Sequence, residues 1–136
     1  MEINLDETRQ VVQMARAKAI QLNVNANIAV LDTAGHLKAF ERMDYAFLGS
    51  MDIAIKKAKT ASLFRTSSEN VGEYLKPEAA TYGMIDTNGG LVGFAGGLPI
   101  VKDNEIIGYI GVSGGAVTED LQIATAGAEI FHQSAI

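Results

Sequence analysis

Residues 108–122 read GYIGVSGGAVTEDLQ. An apolar run ends at a serine bracketed by glycines, and an acidic amphipathic segment follows with no linker between them. Strand periodicity gives way at once to helical periodicity. A β-strand must therefore hand directly to an α-helix, with Gly111, Gly114 and Gly115 relieving the turn. Such a unit needs a sheet to pair the strand and a sheet face to receive the helix. The elbow can offer its backbone N–H groups to an anion, hold Ser113 as a nucleophile, or only change direction.

The rest of the chain supplies the sheet. Residues 5–23 read as a helix with Leu5, Val12, Ala15, Ala19 and Leu22 on one face, acids at its start, and Asn23 and Asn25 suited to its exit. Ala26–Leu31 and His36–Arg42 read as a hairpin closed by DTAG. MDIAIKKAKTASLF is a second helix, and SSENVGEYL a short third one capped by Ser67 or Ser68. TNGG marks a turn. LVGFAGGLPIVKDNEIIGYIGVSG reads as two or three strands, with KDNE closing a hairpin. VTEDLQIATAGAEIFH is the last helix, with Leu121, Ala124, Ala128 and Phe131 along one face and Thr118 or Gly115 as its cap. Nothing repeats and no linker divides the chain, so residues 1–136 read as a single domain. Runs of strands and helices that do not alternate regularly fit one antiparallel sheet with helices packed on it.

Composition narrows the function. The chain is acidic, with formal net charge −5, and no basic block interrupts it, so a nucleic-acid footprint is missing. It has no cysteine, which removes disulfides, thiolate metal sites and cysteine nucleophiles. No apolar run approaches the roughly 18 residues of a membrane span. The acidic start MEINLDETRQ is no signal peptide, which makes a cytoplasmic setting the expectation.

Several residues carry candidate chemistry. Lys57 falls on one helix face with Ile53, Ala61 and Phe64, so its ammonium either snorkels to the rim or enters a pocket and meets a carboxylate or propionate. Arg42 and Asp44 end a strand just before that helix; a guanidinium suits carboxylate recognition, and Asp44 suits proton transfer or an ion pair. Gly93, Gly96 and Gly97 open space beside a strand for a flat ligand or for close packing. Gly111-Val112-Ser113-Gly114-Gly115 satisfies the G-x-S-x-G pattern. The histidine that follows it, His132, lies across a helix, over roughly 20 Å away at the usual rise per residue, which disfavours a serine triad. Neither His36 nor His132 has metal-ligand company at useful spacing, although one side chain suffices as an axial haem ligand.

VLDTAGHLKAFERMD, AIKKAKTA, GFAGGLPI and IIGYIGVSGGAVTEDLQIATAG together resemble the GlcG/HbpS-like family, which includes the C-terminal domain of some corrinoid adenosyltransferases. The resemblance covers nearly the whole chain. It implies a profilin-like or roadblock-like sandwich, with one five-stranded antiparallel sheet flanked by helices, and it implies homo-oligomers. It also implies haem as a candidate cofactor, since some relatives bind it. Some of those carry the ligand as a histidine in the first helix, where this chain has none. Arg42, Asp44, Lys57, Gly97, Ser113 and Gly114 are the expected ligand-binding positions, for haem, a related tetrapyrrole or a small anion. The alternatives are a small isomerase-like or tautomerase-like enzyme acting on an organic acid, and a structural oligomer without ligand chemistry.

Overall fold

The computed structural model describes residues 1–132. Helix α1 (Leu5–Gln21) is followed by strands β1 (Asn27–Leu31) and β2 (Leu37–Arg42). Helices α2 (Gly49–Phe64) and α3 (Ser68–Gly72) come next, and a single 3₁₀ turn spans Tyr82–Asp86. Strands β3 (Gly97–Lys102) and β4 (Glu105–Ser113) and helix α4 (Val117–Ala128) complete the order. The sheet is antiparallel, in the order β2-β1-β4-β3.

Period-2 alternation divides the sheet between two helical layers. Ile28 pairs with Val112 and Val30 with Ile110. Their side chains share one core with Val11, Ala15 and Ala19 of α1 and Ile123, Ala124 and Ala128 of α4. Leu31 and Tyr109, which pair across the same strands, pack instead on Ala58 and Ala61 of α2. The molecule is thus α1 and α4 on one face, the sheet, and α2 on the other.

Helix α2 lies unusually close to the sheet. A Cβ added at Gly111 would stand 2.0 Å from the Ala54 carbonyl oxygen, and one at Gly97 would stand 2.2 Å from the Lys57 carbonyl oxygen. Only hydrogen fits at either position. The helix accordingly buries small residues, Ala54, Ala58, Thr60 and Ala61, together with Lys57. The stripe expected from the sequence was Ile53, Lys57, Ala61 and Phe64. Phe64 is in fact exposed and Ile53 only partly covered, because proximity to the glycines selects for size rather than hydropathy.

Local chemistry sets the ends of the elements. Asn4 and Glu7 form a capping box on α1: the Glu7 N–H donates to Asn4 Oδ1 at 2.8 Å and the Asn4 N–H to Glu7 Oε1 at 3.0 Å. Ser67 caps α3. Asp103 and Asn104, both at positive φ, form the two-residue turn between β3 and β4. The first turn of α4 departs from expectation. Its cap position is Ala116, whose N–H donates to Glu119 Oε1 at 2.8 Å, so neither Thr118 nor Gly115 caps it.

The expected fifth strand is absent among the described residues. Side chains of the α2–α3 layer claim the backbone of residues 91–97 before a ladder can. The Val92 N–H donates to Thr60 Oγ1 at 3.0 Å, the Ser68 hydroxyl donates to the Phe94 carbonyl at 2.7 Å, and the Gly97 N–H donates to Ser68 Oγ at 2.9 Å. Gly96 turns the chain at φ +128°, and strand geometry begins only at Gly97.

Candidate ligand-binding site

Register gathers three polar residues at one end of the sheet. Asn27, the first residue of β1, pairs with Arg42 at the end of β2 and with Ser113 at the end of β4. Directly opposed residues share a face, so Arg42, Asn27 and Ser113 form a row. Asn27 is fully buried; its Nδ2 donates to the Phe47 carbonyl at 3.0 Å, while its Oδ1 has no partner among the described residues. Ser113 is buried as well.

Lys57 reaches the same end from beneath. Its ammonium donates to the Val112 carbonyl at 2.8 Å and to Asp120 Oδ2 at 3.1 Å. The Phe94 ring lies over it, 4.8 Å to the centroid. Lys57 is 0% exposed and Asp120 2%. Burial pushes the lysine below its ordinary pKa and the aspartate above its own, and the attraction between the two opposes both shifts. Lys57 therefore does meet a carboxylate, but one from its own chain. The pair ties α2 on one face of the sheet to α4 on the other.

That arrangement also decides the elbow. The Gly115 N–H donates to Asp120 Oδ1 at 2.9 Å, and Glu119 takes the Ala116 N–H. These amides, the natural anion site of a helix N-terminus, are occupied by the helix's own acids. Glu119 and Asp120 lie in the first turn of α4, where negative charge complements the helix dipole, and they fill the turn as well. His132 is grouped with Val101, Asp103 and Asn104 at the β3–β4 turn, remote from Ser113, so no serine triad assembles.

The accessible part of the site lies beside the sheet end. Arg16, Ile20, Asn25, Glu41, Arg42, Met43, Asp44 and Tyr45 line a groove of roughly 490 Å³. Arg16 Nε pairs with Glu41 at 3.0 Å. The Arg42 guanidinium forms no ion pair or hydrogen bond among the described residues. A second concavity, roughly 280 Å³, shares Asn25 and Tyr45 with the first and extends to Phe47, Gly114, Gly115 and Glu119. A larger concavity, roughly 620 Å³, lies elsewhere, between Phe64, Val71, Tyr74 and Met84; its described walls carry Glu73 and no basic residue.

The six expected site residues thus separate by depth. Arg42 and Asp44 line the open groove and Gly114 its neighbour. Lys57, Gly97 and Ser113 lie in the interior, where Gly97 makes room for the Lys57 carbonyl. Sequence reasoning passed over Asn27, Asp120 and Tyr45. A polar residue opening the buried run NIAVL was the available signal for the first. A lysine among buried positions, which demands a partner, was the signal for the second.

Known proteins share this fold. The model of the family described as haem degrading protein HbpS-like matches residues 3–129. An uncharacterized 15.0 kDa protein of Citrobacter freundii, from a dhaT–dhaS intergenic region, is 36% identical over 132 residues, covering 96% of this chain and 93% of that one. Klebsiella pneumoniae ORFY has the same fold, with a TM-score of 0.92 and 31% identity over 99% of this chain and 94% of that one. A structure of PduOC in complex with haem has a TM-score of 0.89 and 31% identity, covering 98% of this chain and all of that one. The chain belongs to the HbpS-like family.

Proposed function

We propose that this HbpS-like protein binds haem or a related tetrapyrrole in the groove between the end of α1, the end of β2 and residues 43–48. In this reading it is an accessory binding protein of cytoplasmic metabolism, built as a single profilin-like or roadblock-like domain. One observation carries the proposal. Arg42 holds a guanidinium with no partner among the described residues, at a groove also walled by Ile20, Met43 and Tyr45. A tetrapyrrole presents a flat apolar ring and carboxylate side chains. The apolar walls suit the ring, and the guanidinium suits a carboxylate. The haem complex of a relative with the same fold supports the choice of ligand.

The donor set fits an iron porphyrin. Tyr45 offers a phenol oxygen and Asp44 a carboxylate, both types of oxygen donor to iron. Arg42 would hold a propionate, and Ile20 and Met43 would cover ring surface. Bound haem would supply the redox chemistry of its iron, which the surrounding polarity and donors tune. Self-association belongs to the same reading, because Tyr45, Phe47 and Leu48 are 91%, 71% and 70% exposed beside the groove.

Haemin titration followed at the Soret band tests the proposal. The wild type should give a saturable shift, Arg42→Ala should weaken it, and Lys57→Met should leave it unchanged wherever the protein remains folded. Absence of a saturable shift, or an Arg42→Ala titration matching wild type, would remove the support.

A further inference from the structure

We propose that the side chain of Tyr45 is the axial donor to the iron of a haem held in this groove, an inference that rests on the reading above. Among the described residues, six other than glycine have positive φ. Four are Asn or Asp, which tolerate that conformation, and Arg65 ends α2 in it. Tyr45, at φ 67°, is the only aromatic residue among them. It sits in a tight turn closed by the Ala46 N–H donating to the Met43 carbonyl at 3.1 Å, at a position where glycine would be free of strain. Burial does not offset that strain, because Tyr45 is 91% exposed. The turn is nonetheless firmly held. The Met43 N–H donates to the Ala26 carbonyl at 3.0 Å, and buried Asn27 donates to the Phe47 carbonyl two residues beyond Tyr45. A strained, solvated aromatic ring on an anchored turn, lining both concavities, takes no part in the core. An outlier of this kind points to a ligand contact.

The other donors are committed or distant. Met43 Sδ accepts the Ala26 N–H at 3.3 Å, and Glu41 is paired with Arg16. Both histidines lie at the opposite end of the sheet. His36 is in the β1–β2 connection beside Asp32, and His132 is grouped with the β3–β4 turn. Tyr45 and Asp44 remain, and a phenolate is a known proximal ligand of ferric haem. On binding, the phenol oxygen forms the bond to Fe(III) and its proton passes to solvent; no electron is transferred.

The test loads haemin onto the wild type, Tyr45→Phe, Tyr45→Gly, Tyr45→His and Asp44→Asn, and reads resonance Raman, electron paramagnetic resonance and visible spectra. The wild-type complex should show phenolate modes and a phenolate-to-iron charge-transfer band. Tyr45→Phe and Tyr45→Gly should lose both while still titrating through Arg42, Tyr45→His should give an imidazole-type spectrum, and Asp44→Asn should match wild type. Tyr45→Gly should also melt at a higher temperature than wild type, which keeps a folding defect from imitating loss of the ligand. If wild type and Tyr45→Phe give the same spectra, or if Asp44→Asn alone removes the signature, the assignment to Tyr45 is overturned while haem binding stands. If the wild type takes up no haemin, the binding proposal falls and Tyr45 with it.

Discussion

Lys57 Nζ stands 3.1 Å from Asp120 Oδ2, and neither residue is open to solvent. The lysine enters from the helix on one face of the sheet and the aspartate from the helix on the other. Val112 and Gly115 supply the remaining hydrogen bonds. Breaking a buried pair leaves one uncompensated charge, a loss of about 3–5 kcal/mol, whereas replacing both partners with apolar residues is far milder. Asp120→Ala should therefore lower the urea midpoint sharply, and Lys57→Met with Asp120→Leu should recover much of the loss. Equal midpoints for wild type and Asp120→Ala would show that the pair contributes nothing.

Gly111 faces backbone rather than flexible side chains. An added methyl would meet the Ala54 carbonyl oxygen at 2.0 Å and the Ala58 nitrogen at 2.7 Å. Helix α2 would have to lift from the sheet. Gly111→Ala should cost about 1–3 kcal/mol or more, while Gly83→Ala, which meets nothing within 4 Å, should be near neutral. Parallel thermal melts of the two variants check this, and similar melting temperatures would contradict it.

Tyr45 presents the reverse case. Glycine reaches φ 67° without the clash that a Cβ imposes, so Tyr45→Gly should stabilise the apoprotein by about 1 kcal/mol. A lower melting temperature for this variant would mean that the exposed ring makes contacts that offset the strain.

Glu7 sets part of the acid limb of stability. The Lys102 ammonium at 2.6 Å and the Asn4 N–H hold its carboxyl below the ordinary glutamate value. The unfolded chain thus binds more protons than the native one between the depressed value and about 4.3. The Glu7 contribution is present above that window and is lost as pH falls through it. Asp32 shifts in the same direction, through the His36 N–H, and Asp120 in the opposite one. Both cancel in a comparison of wild type with Glu7→Gln. The stability difference should shrink as pH falls through the window; a constant difference would contradict the linkage.

The parts of the fold that follow local rules were legible: the helices, the β1–β2 hairpin, the KDNE turn and the strand-to-helix elbow. What escaped depended on contacts between layers. Ile53 and Phe64 look more core-like than Ala54 and Ala58, until Gly97 and Gly111 bring α2 too near the sheet for large side chains. Residues 91–96 look like a strand, until Thr60 and Ser68 take their backbone groups. Side-chain chemistry alone singled out Arg42 and Asp44, which line the candidate groove. Tyr45 was not, because nothing in its side chain announces a strained φ.

The strand order leaves β2 and β3 as the margins of the sheet. An open margin is a template on which another extended chain can zip, the route to fibres. Here β3 contains Pro99, which has no N–H to donate, and ends in Lys102, while β2 carries Lys38, Glu41 and Arg42. Growth by adding strands is discouraged on both sides. Any contact between copies is left to exposed side chains such as Phe47 and Leu48. A concentrated sample should therefore stay free of thioflavin-binding fibrils.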